Sequence, residues 1–185
     1  VMWGQLSVSL LRENEDGPAF GIAILEDITE TRLARQALDE RQKFDAFMAN
    51  LSARFINLSA GQLDAAIEDA QRNICECLKI DVCTLWQQST AHPDSLCLTH
   101  YHVPPDFPPI PKEMDGKESF PWCVEKLRAG ESVILSRVTD APAAAARDLE
   151  GWRHYGVKSA LAFPLSAGGG TTFGALGFNT ISEEH

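Results

Sequence analysis

Alternating apolar and polar residues near the start of the chain predict a β-hairpin over residues 3–27. The runs from Leu6 to Leu10 and from Ala19 to Leu25 both have the two-residue period of a half-buried strand. The polar segment between them contains Gly17 and is typical of a turn. Because a two-stranded hairpin is only marginally stable in water, we expect another part of the protein or a partner chain to cover it.

Between Thr29 and about Asn57 the spacing of apolar residues changes to that of a helix. Two N-terminal caps are compatible with this segment, either Asp27 with Glu30 or Thr29 itself. The first half of the helix is charged and has too little apolar surface to hold it on a core. The second half carries an apolar stripe, so we expect a homodimer in which two copies of residues 30–57 pair along it. The stripe consists of Phe44, Phe47, Met48, Leu51 and Phe55.

Beyond Leu58 the pattern predicts an α+β domain. Ser59 and Gln62 make a capping box, and a helical stripe of apolar residues follows as far as Lys79. The prolines of segment 103–111 exclude regular structure there. The remaining segments predict an antiparallel sheet with flanking helices, preceded by the hairpin and the long connecting helix. Strands are predicted at 82–87, 96–102, 132–136, 159–165 and 173–180, and helices at 119–129 and 141–155.

The charge of the chain narrows the range of partners. The net charge is −10 and the pI is about 4.9, which disfavours contact with nucleic acid phosphates or with anionic lipid. The stretch from Ser89 to Pro105 is nearly free of charge but is rich in His, Pro and Ser, so we expect no membrane span. Five cysteines, an odd number, favour reduced thiols without a metal site, and we expect a cytoplasmic location.

The end of the first segment resembles a known domain boundary. From Gly21 to Glu30 the chain reads Gly-Ile-Ala-Ile-Leu-Glu-Asp-Ile-Thr-Glu, which resembles the last strand and exit of a PAS domain. The resemblance covers residues 6–34 and implies that residues 1–29 are the C-terminal hairpin of a truncated PAS domain. It also implies that residues 30–58 form a connecting signalling helix within a longer protein.

A second resemblance is carried by several short motifs later in the chain. They are Leu-Ser-Ala-Arg-Phe-Ile-Asn-Leu at 51–58, the run at 74–86, Phe-Pro-Trp at 120–122, Gly-Val-Lys-Ser at 156–159, Pro-Leu at 164–165 and Gly-Ala-Leu-Gly-Phe at 174–178. In this order they resemble a GAF domain of the kind that follows PAS domains in bacterial sensor histidine kinases. The resemblance implies that residues 59–185 form a GAF domain lacking its final helix. It further implies a small-molecule sensor that relays its signal to an effector outside this chain, expected to be a histidine kinase of a two-component system.

The GAF resemblance implies a ligand pocket on one face of the sheet, beneath segments 103–130 and 139–156. Aromatic and polar residues near these segments are therefore candidate ligand-binding residues. We expect Arg147 or His154 to anchor an anionic ligand. The alternative is a filled core, in which Trp152 and Tyr155 pack with no cavity beside them. The candidates are His100, Phe120, Trp122, Cys123, Arg147, Trp152, His154 and Tyr155.

Other uses of a GAF domain leave weaker signals in this sequence. Bilin-binding GAF domains commonly anchor the pigment on a Cys next to a His, and no cysteine here is followed by a histidine. The Asn-Lys-x-Phe-Asp-Glu set of cyclic-nucleotide-binding GAF domains does not occur either, so the cofactor is left unknown. Reduction of free methionine sulfoxide would use Cys97 and Cys123 as a redox pair. A ligand-free dimerisation spacer is the remaining alternative, and we expect no catalytic residue in this chain.

Overall fold

The computed structural model describes residues 1–12, 19–56, 58–92, 95–168 and 170–182. The chain divides into two compact units, Val1–Asn57 and Leu58–His185. The first unit contains a hairpin and a long helix, and the second contains a six-stranded sheet with helices on both faces. The predicted α+β fold with an antiparallel sheet is confirmed.

The first unit opens with two antiparallel strands, β1 (Gly4–Arg12) and β2 (Ala19–Asp27), paired so that Gly4 lies opposite Asp27. The turn predicted around Gly17 lies outside the described residues. A 27-residue helix, α1 (Thr29–Phe55), follows the hairpin directly.

Neither of the predicted side-chain caps forms at the start of α1. Ile28 occupies the N-cap position without a side-chain hydrogen bond. Instead, the backbone N–H of Thr29 donates to Asp27 Oδ1 at 2.9 Å, and the backbone N–H of Trp3 donates to Thr29 Oγ1 at 2.8 Å. The hydrogen bonds from Thr29 also hold the pKa of the Asp27 carboxyl below its ordinary value. These contacts join the hairpin to the helix within the first unit.

No residue of α1 is buried within the described residues. Phe47 and Leu51 of the predicted stripe are half-buried, whereas Phe44, Met48 and Phe55 are exposed. The helix therefore presents an apolar stripe that its own unit does not cover.

The second unit begins with a 3₁₀ turn, Ala60–Gln62, that leads into α2 (Leu63–Leu78). The side-chain carbonyl of Gln62 accepts hydrogen bonds from the backbone N–H of Ser59 at 3.3 Å and from its hydroxyl at 2.8 Å. Half of the predicted capping box is thus present. The helix ends one residue before the predicted limit, because Lys79 adopts a left-handed conformation with φ of 54°.

The sheet consists of six strands, β3 (Val82–Gln88), β4 (Ser95–His102), β5 (Glu113–Asp115), β6 (Val133–Leu135), β7 (Ser159–Ser166) and β8 (Thr172–Thr180). Their order is β5-β4-β3-β8-β7-β6, and every neighbouring pair is antiparallel. β3 and β8 therefore lie at its centre. The edge strand β5 was not predicted, because it has only three residues and follows the proline-rich segment 103–111.

Three short helices, α3 (Gly116–Ser119), α4 (Pro121–Arg128) and α5 (Ala146–His154), lie in the segments between the strands. The helix predicted at 119–129 is broken at Phe120, whose backbone φ of −140° is not helical. The helix predicted at 141–155 starts later than expected, after the 3₁₀ turn Ala143–Ala145.

The two faces of the sheet have separate apolar cores. On one face, α2 packs against β3 and β4, and its core includes Cys75, Cys83 and Phe178. On the other face, α4 packs over β6 and β7, and α5 packs against α4. The core of this second face consists of Cys123, Val133, Val138, Trp152, Val157 and Ala160.

Candidate ligand-binding site

A cavity of about 410 Å³ lies between the sheet and the helices α4 and α5. Alternate residues of β3, namely Val82, Thr84 and Trp86, line its floor, while Cys83 packs on the α2 side. The volume falls within the range of about 300–1,000 Å³ that is typical of ligand pockets. The cavity excludes the alternative of a filled core beside Trp152.

The floor leaves room because β7 and β8 carry small residues on this face. β7 contributes Ala160 and Ala162, and β8 contributes Ala175 and Gly177. Residues that alternate with them, such as Phe178, point to the opposite face and pack against the α2 core. One face of the sheet is thus filled by large side chains, whereas the other leaves space.

Aromatic side chains form much of the roof. Phe107 of the proline-rich segment stacks on Tyr155, with ring centroids 5.7 Å apart and planes inclined by 11°. Phe120 and Trp152 contact each other in a tilted arrangement at 6.1 Å. Gly151 allows α5 to approach Phe120, since a Cβ atom at this position would lie 2.7 Å from the Phe120 ring.

The carboxylate of Asp148 links α4 and α5. This residue is fully buried on α5, and its two oxygens accept the backbone N–H groups of Trp122 at 3.2 Å and Cys123 at 2.8 Å. Phe120, at the N-cap of α4, supplies no side-chain cap of its own. Asp148 therefore caps α4 from a neighbouring helix, and its charge is stabilised by the helix N-terminus. The sequence feature that could have indicated a distant cap is Pro121, which lies in a first helical turn that has no local capping residue.

Six of the eight predicted ligand-binding residues line the cavity. Trp122 does not line it and packs against the core cluster that contains Cys123. His100 does not line it either, because it lies on the α2 side of the sheet. The six are Phe120, Cys123, Arg147, Trp152, His154 and Tyr155.

A β-bulge explains the position of His100. Leu98 pairs with Trp86 on the cavity face, but the next pair is His100 with Leu85, so Thr99 is the extra residue of β4. The bulge turns His100 towards α2, where its Nε2 atom lies 3.3 Å from Asp64 Oδ1. Regular alternation from Leu98 would have directed His100 into the cavity.

The charge of Arg147 is already balanced at the rim of the cavity. Its Nη1 atom lies 2.6 Å from Glu150 Oε2, and its Nε donates to the backbone carbonyl of Glu118 at 3.1 Å. His154 is exposed, and its ring contacts Tyr155 edge-on at 4.9 Å. Arg147, which was expected to anchor an anion, is therefore part of a neutral ion pair and does not offer an unpaired positive charge.

Two polar residues on the floor, Thr84 and Asn179, were not among the predicted site residues. The register pairs Asn179 with Val82 and Thr84 with Gly177, so the two side chains are diagonal neighbours on the cavity face. Both side chains face the cavity, and neither is hydrogen-bonded to another described residue. The sequence feature that could have indicated them is that each is a polar residue at an inward-facing position of a central strand.

A family model for the GAF domain matches residues 62–183. The chain belongs to the GAF domain family. The match spans the second unit from the end of the 3₁₀ turn to the residues just after β8. Among curated proteins, no sequence is significantly similar to this chain.

Solved GAF domains share the fold of this chain at low sequence identity. The phycocyanobilin-bound GAF domain of a cyanobacterial phytochrome is 17% identical with a TM-score of 0.59, covering 76% of this chain and 81% of its own. The GAF domain of an Acinetobacter phosphoenolpyruvate-protein phosphotransferase is 13% identical with a TM-score of 0.55, covering 78% and 80%. The corresponding domain from Coxiella burnetii is 17% identical with a TM-score of 0.53, covering 80% and 81%. These likenesses establish the fold alone.

The cysteines of this GAF domain are not arranged as a redox pair at the cavity. Burial raises the pKa of the Cys123 thiol, and the neighbouring Asp148 carboxylate raises it further. Cys97 follows the cavity-lining Leu96 on β4 and pairs with Gln87, so alternation directs it to the other face of the sheet. The two thiols therefore lie on opposite faces, which gives no support to sulfoxide reductase chemistry.

The described part of the chain contains neither a metal-ligand cluster nor a membrane-spanning helix. No group of three or more His, Cys, Asp or Glu side chains there could hold a metal ion. Of the helices described, none combines the length and the apolar character of a membrane-spanning segment.

Replacing Asp148 by alanine should destabilise the GAF domain by about 2–4 kcal/mol, because two amides of α4 lose their partner and a cavity opens. Urea unfolding monitored by circular dichroism measures this change. The matched control is Asp140→Ala, which removes an exposed carboxylate that contacts Arg137 and should change stability by about 1 kcal/mol or less. Equal effects of the two substitutions would contradict the capping role of Asp148.

Thiol labelling should separate Cys77 from Cys123. Cys77 is exposed and should react quickly with Ellman's reagent at pH 8, whereas Cys123 is buried with a raised pKa and should react only on unfolding. Mass spectrometry of the labelled peptides identifies the reacting cysteine.

We also expect no reduction of free methionine sulfoxide by the chain with dithiothreitol. Turnover that disappears in Cys123→Ser would overturn this assignment.

Proposed function

We propose that this chain is a regulatory sensor segment of a bacterial signal-transduction protein. Its GAF domain binds a small molecule in the cavity of about 410 Å³ and relays the binding event to an effector outside the chain. The cavity is the observation that carries the proposal, because a domain that served only as a spacer would gain stability by filling it.

The relay is proposed to run through a homodimer of α1. Among the described residues no member of the stripe from Phe44 to Phe55 is buried, and pairing two copies of α1 would bury it. Paired helices can pass on small rotations or shifts between domains. A ligand that favours one arrangement of the dimer would then shift the population of an attached effector.

The position of the segment in a larger protein is proposed from its first residues. The hairpin and its Asp27-Ile28-Thr29-Glu30 exit support a truncated PAS domain over residues 1–29, ahead of the connecting helix 30–58 and the GAF domain 59–185. In this arrangement the effector is a cytoplasmic histidine kinase of a two-component system. Catalysis belongs to that effector and not to the described residues.

Binding of a neutral fluorescent probe tests the sensor role. N-phenyl-1-naphthylamine becomes fluorescent in apolar cavities, and we expect one molecule to bind per chain. Ala162 lies on the cavity floor opposite Gly177, so Ala162→Trp should fill the space and weaken binding at least tenfold. The matched control is Ala129→Trp, at an exposed position after α4, which should bind as the unsubstituted chain does. Binding that Ala162→Trp leaves unchanged would contradict the proposal.

The assembly is tested by light scattering combined with size-exclusion chromatography. We expect a dimer for the unsubstituted chain and a monomer for the double variant Phe47→Glu with Leu51→Glu, because two charges would enter the apolar stripe. Gln42→Glu, which adds a charge at an exposed position of α1, should remain dimeric. A monomeric unsubstituted chain at high concentration would refute the paired-helix relay.

A further inference from the structure

The cavity described above is not built to hold a charged ligand. Its interior is lined mainly by aliphatic and aromatic side chains, among them Trp86, Phe120 and Trp152. The charged residues at its rim, Arg147 and Glu150, form an ion pair with each other. An anion moved into this space would lose its hydration without gaining a free cation.

The floor nevertheless offers hydrogen bonds at one place. Thr84 on β3 and Asn179 on β8 face the cavity as diagonal neighbours. Position 177, directly opposite Thr84, is glycine, and a Cβ atom there would lie 2.8 Å from the threonine hydroxyl. Because no side chain stands at that point, the hydroxyl is not covered from the β8 side.

Both polar side chains line the cavity, and neither is hydrogen-bonded to another described residue. Polar groups inside proteins are normally hydrogen-bonded, and an isolated pair in an apolar space is a site for a polar atom of a ligand. The asparagine amide both donates and accepts, and the threonine hydroxyl does the same. One hydroxyl, lactam or ring-nitrogen group of a ligand can therefore form hydrogen bonds with both residues.

We infer that the ligand of this GAF domain is an uncharged, flat aromatic compound with one hydrogen-bonding edge. Asn179 and Thr84 bind that edge at the floor, and the ring system lies against the aromatic walls that include Trp86 and Trp152. The inference rests on the proposed sensor function and specifies the ligand class of the same cavity. The Phe107–Tyr155 stack, contributed in part by the proline-rich segment, lies in the roof of this cavity.

Three naphthalene compounds distinguish this ligand class from its alternatives. 2-Naphthol carries one neutral polar group, naphthalene carries none, and 2-naphthoate is an anion of similar shape. Competition with N-phenyl-1-naphthylamine measures the affinity of each for the full chain. We expect 2-naphthol to bind at least tenfold more tightly than both of the others, because only it satisfies the floor groups without a charge.

Substitutions of Asn179 and Thr84 test whether these floor residues cause the preference for 2-naphthol. Asn179→Leu should lower the affinity for 2-naphthol to that of naphthalene while leaving naphthalene binding unchanged, and Thr84→Val should lower it several-fold. Asn50→Leu, the same change at an exposed position of α1, should have no effect. Retained binding of N-phenyl-1-naphthylamine shows that each floor variant is still folded.

The outcomes separate the ligand class from the sensor function. If N-phenyl-1-naphthylamine binds at the cavity but 2-naphthol is no better than naphthalene, or Asn179→Leu has no effect, the ligand class is wrong and the sensor function stands. If 2-naphthoate binds most tightly and Arg147→Gln removes that binding, the ligand is an anion and the inference is overturned. If no aromatic probe binds at the cavity, both the inference and the proposed function fail.

Discussion

The buried carboxylate of Asp148 holds together the two helices that cover the cavity. It lies on α5 and accepts both of its backbone hydrogen bonds from the first turn of α4. Burying a charge is costly unless it is paired, and here the N-terminus of α4 provides both the donors and the favourable dipole. This contact fixes the two helices to each other beside the cavity.

The sheet beneath this roof is asymmetric, and the asymmetry creates the space. Large residues such as Leu161, Leu176 and Phe178 fill the face that packs against α2, whereas alanines and Gly177 occupy the cavity face. The helices of the roof therefore lie over a floor to which β7 and β8 contribute small residues. The proline-rich segment then contributes Phe107, which stacks on Tyr155 in the roof.

Periodicity in the sequence predicted the main strands, α1 and α2 and the antiparallel sheet, since long apolar patterns depend little on tertiary contacts. Residues in the segment that ends α5, which the sequence suggested as ligand-binding, line the cavity. Features set by distant contacts were not predicted. Asp148 caps a helix 25 residues away, the bulge at Thr99 reverses the direction of His100, and the break at Phe120 divides what the pattern indicated as one helix.

A crystal of the chain exposed to pressurised xenon tests the central claim most directly. Xenon enters dry apolar cavities and is located by its strong scattering. We expect xenon density between Trp86 on the floor and Trp152 in the roof, with Asp148 bonded to α4 in the same crystal. A roof collapsed onto the floor, with the Tyr155 ring in the space and no bound xenon, would contradict the account.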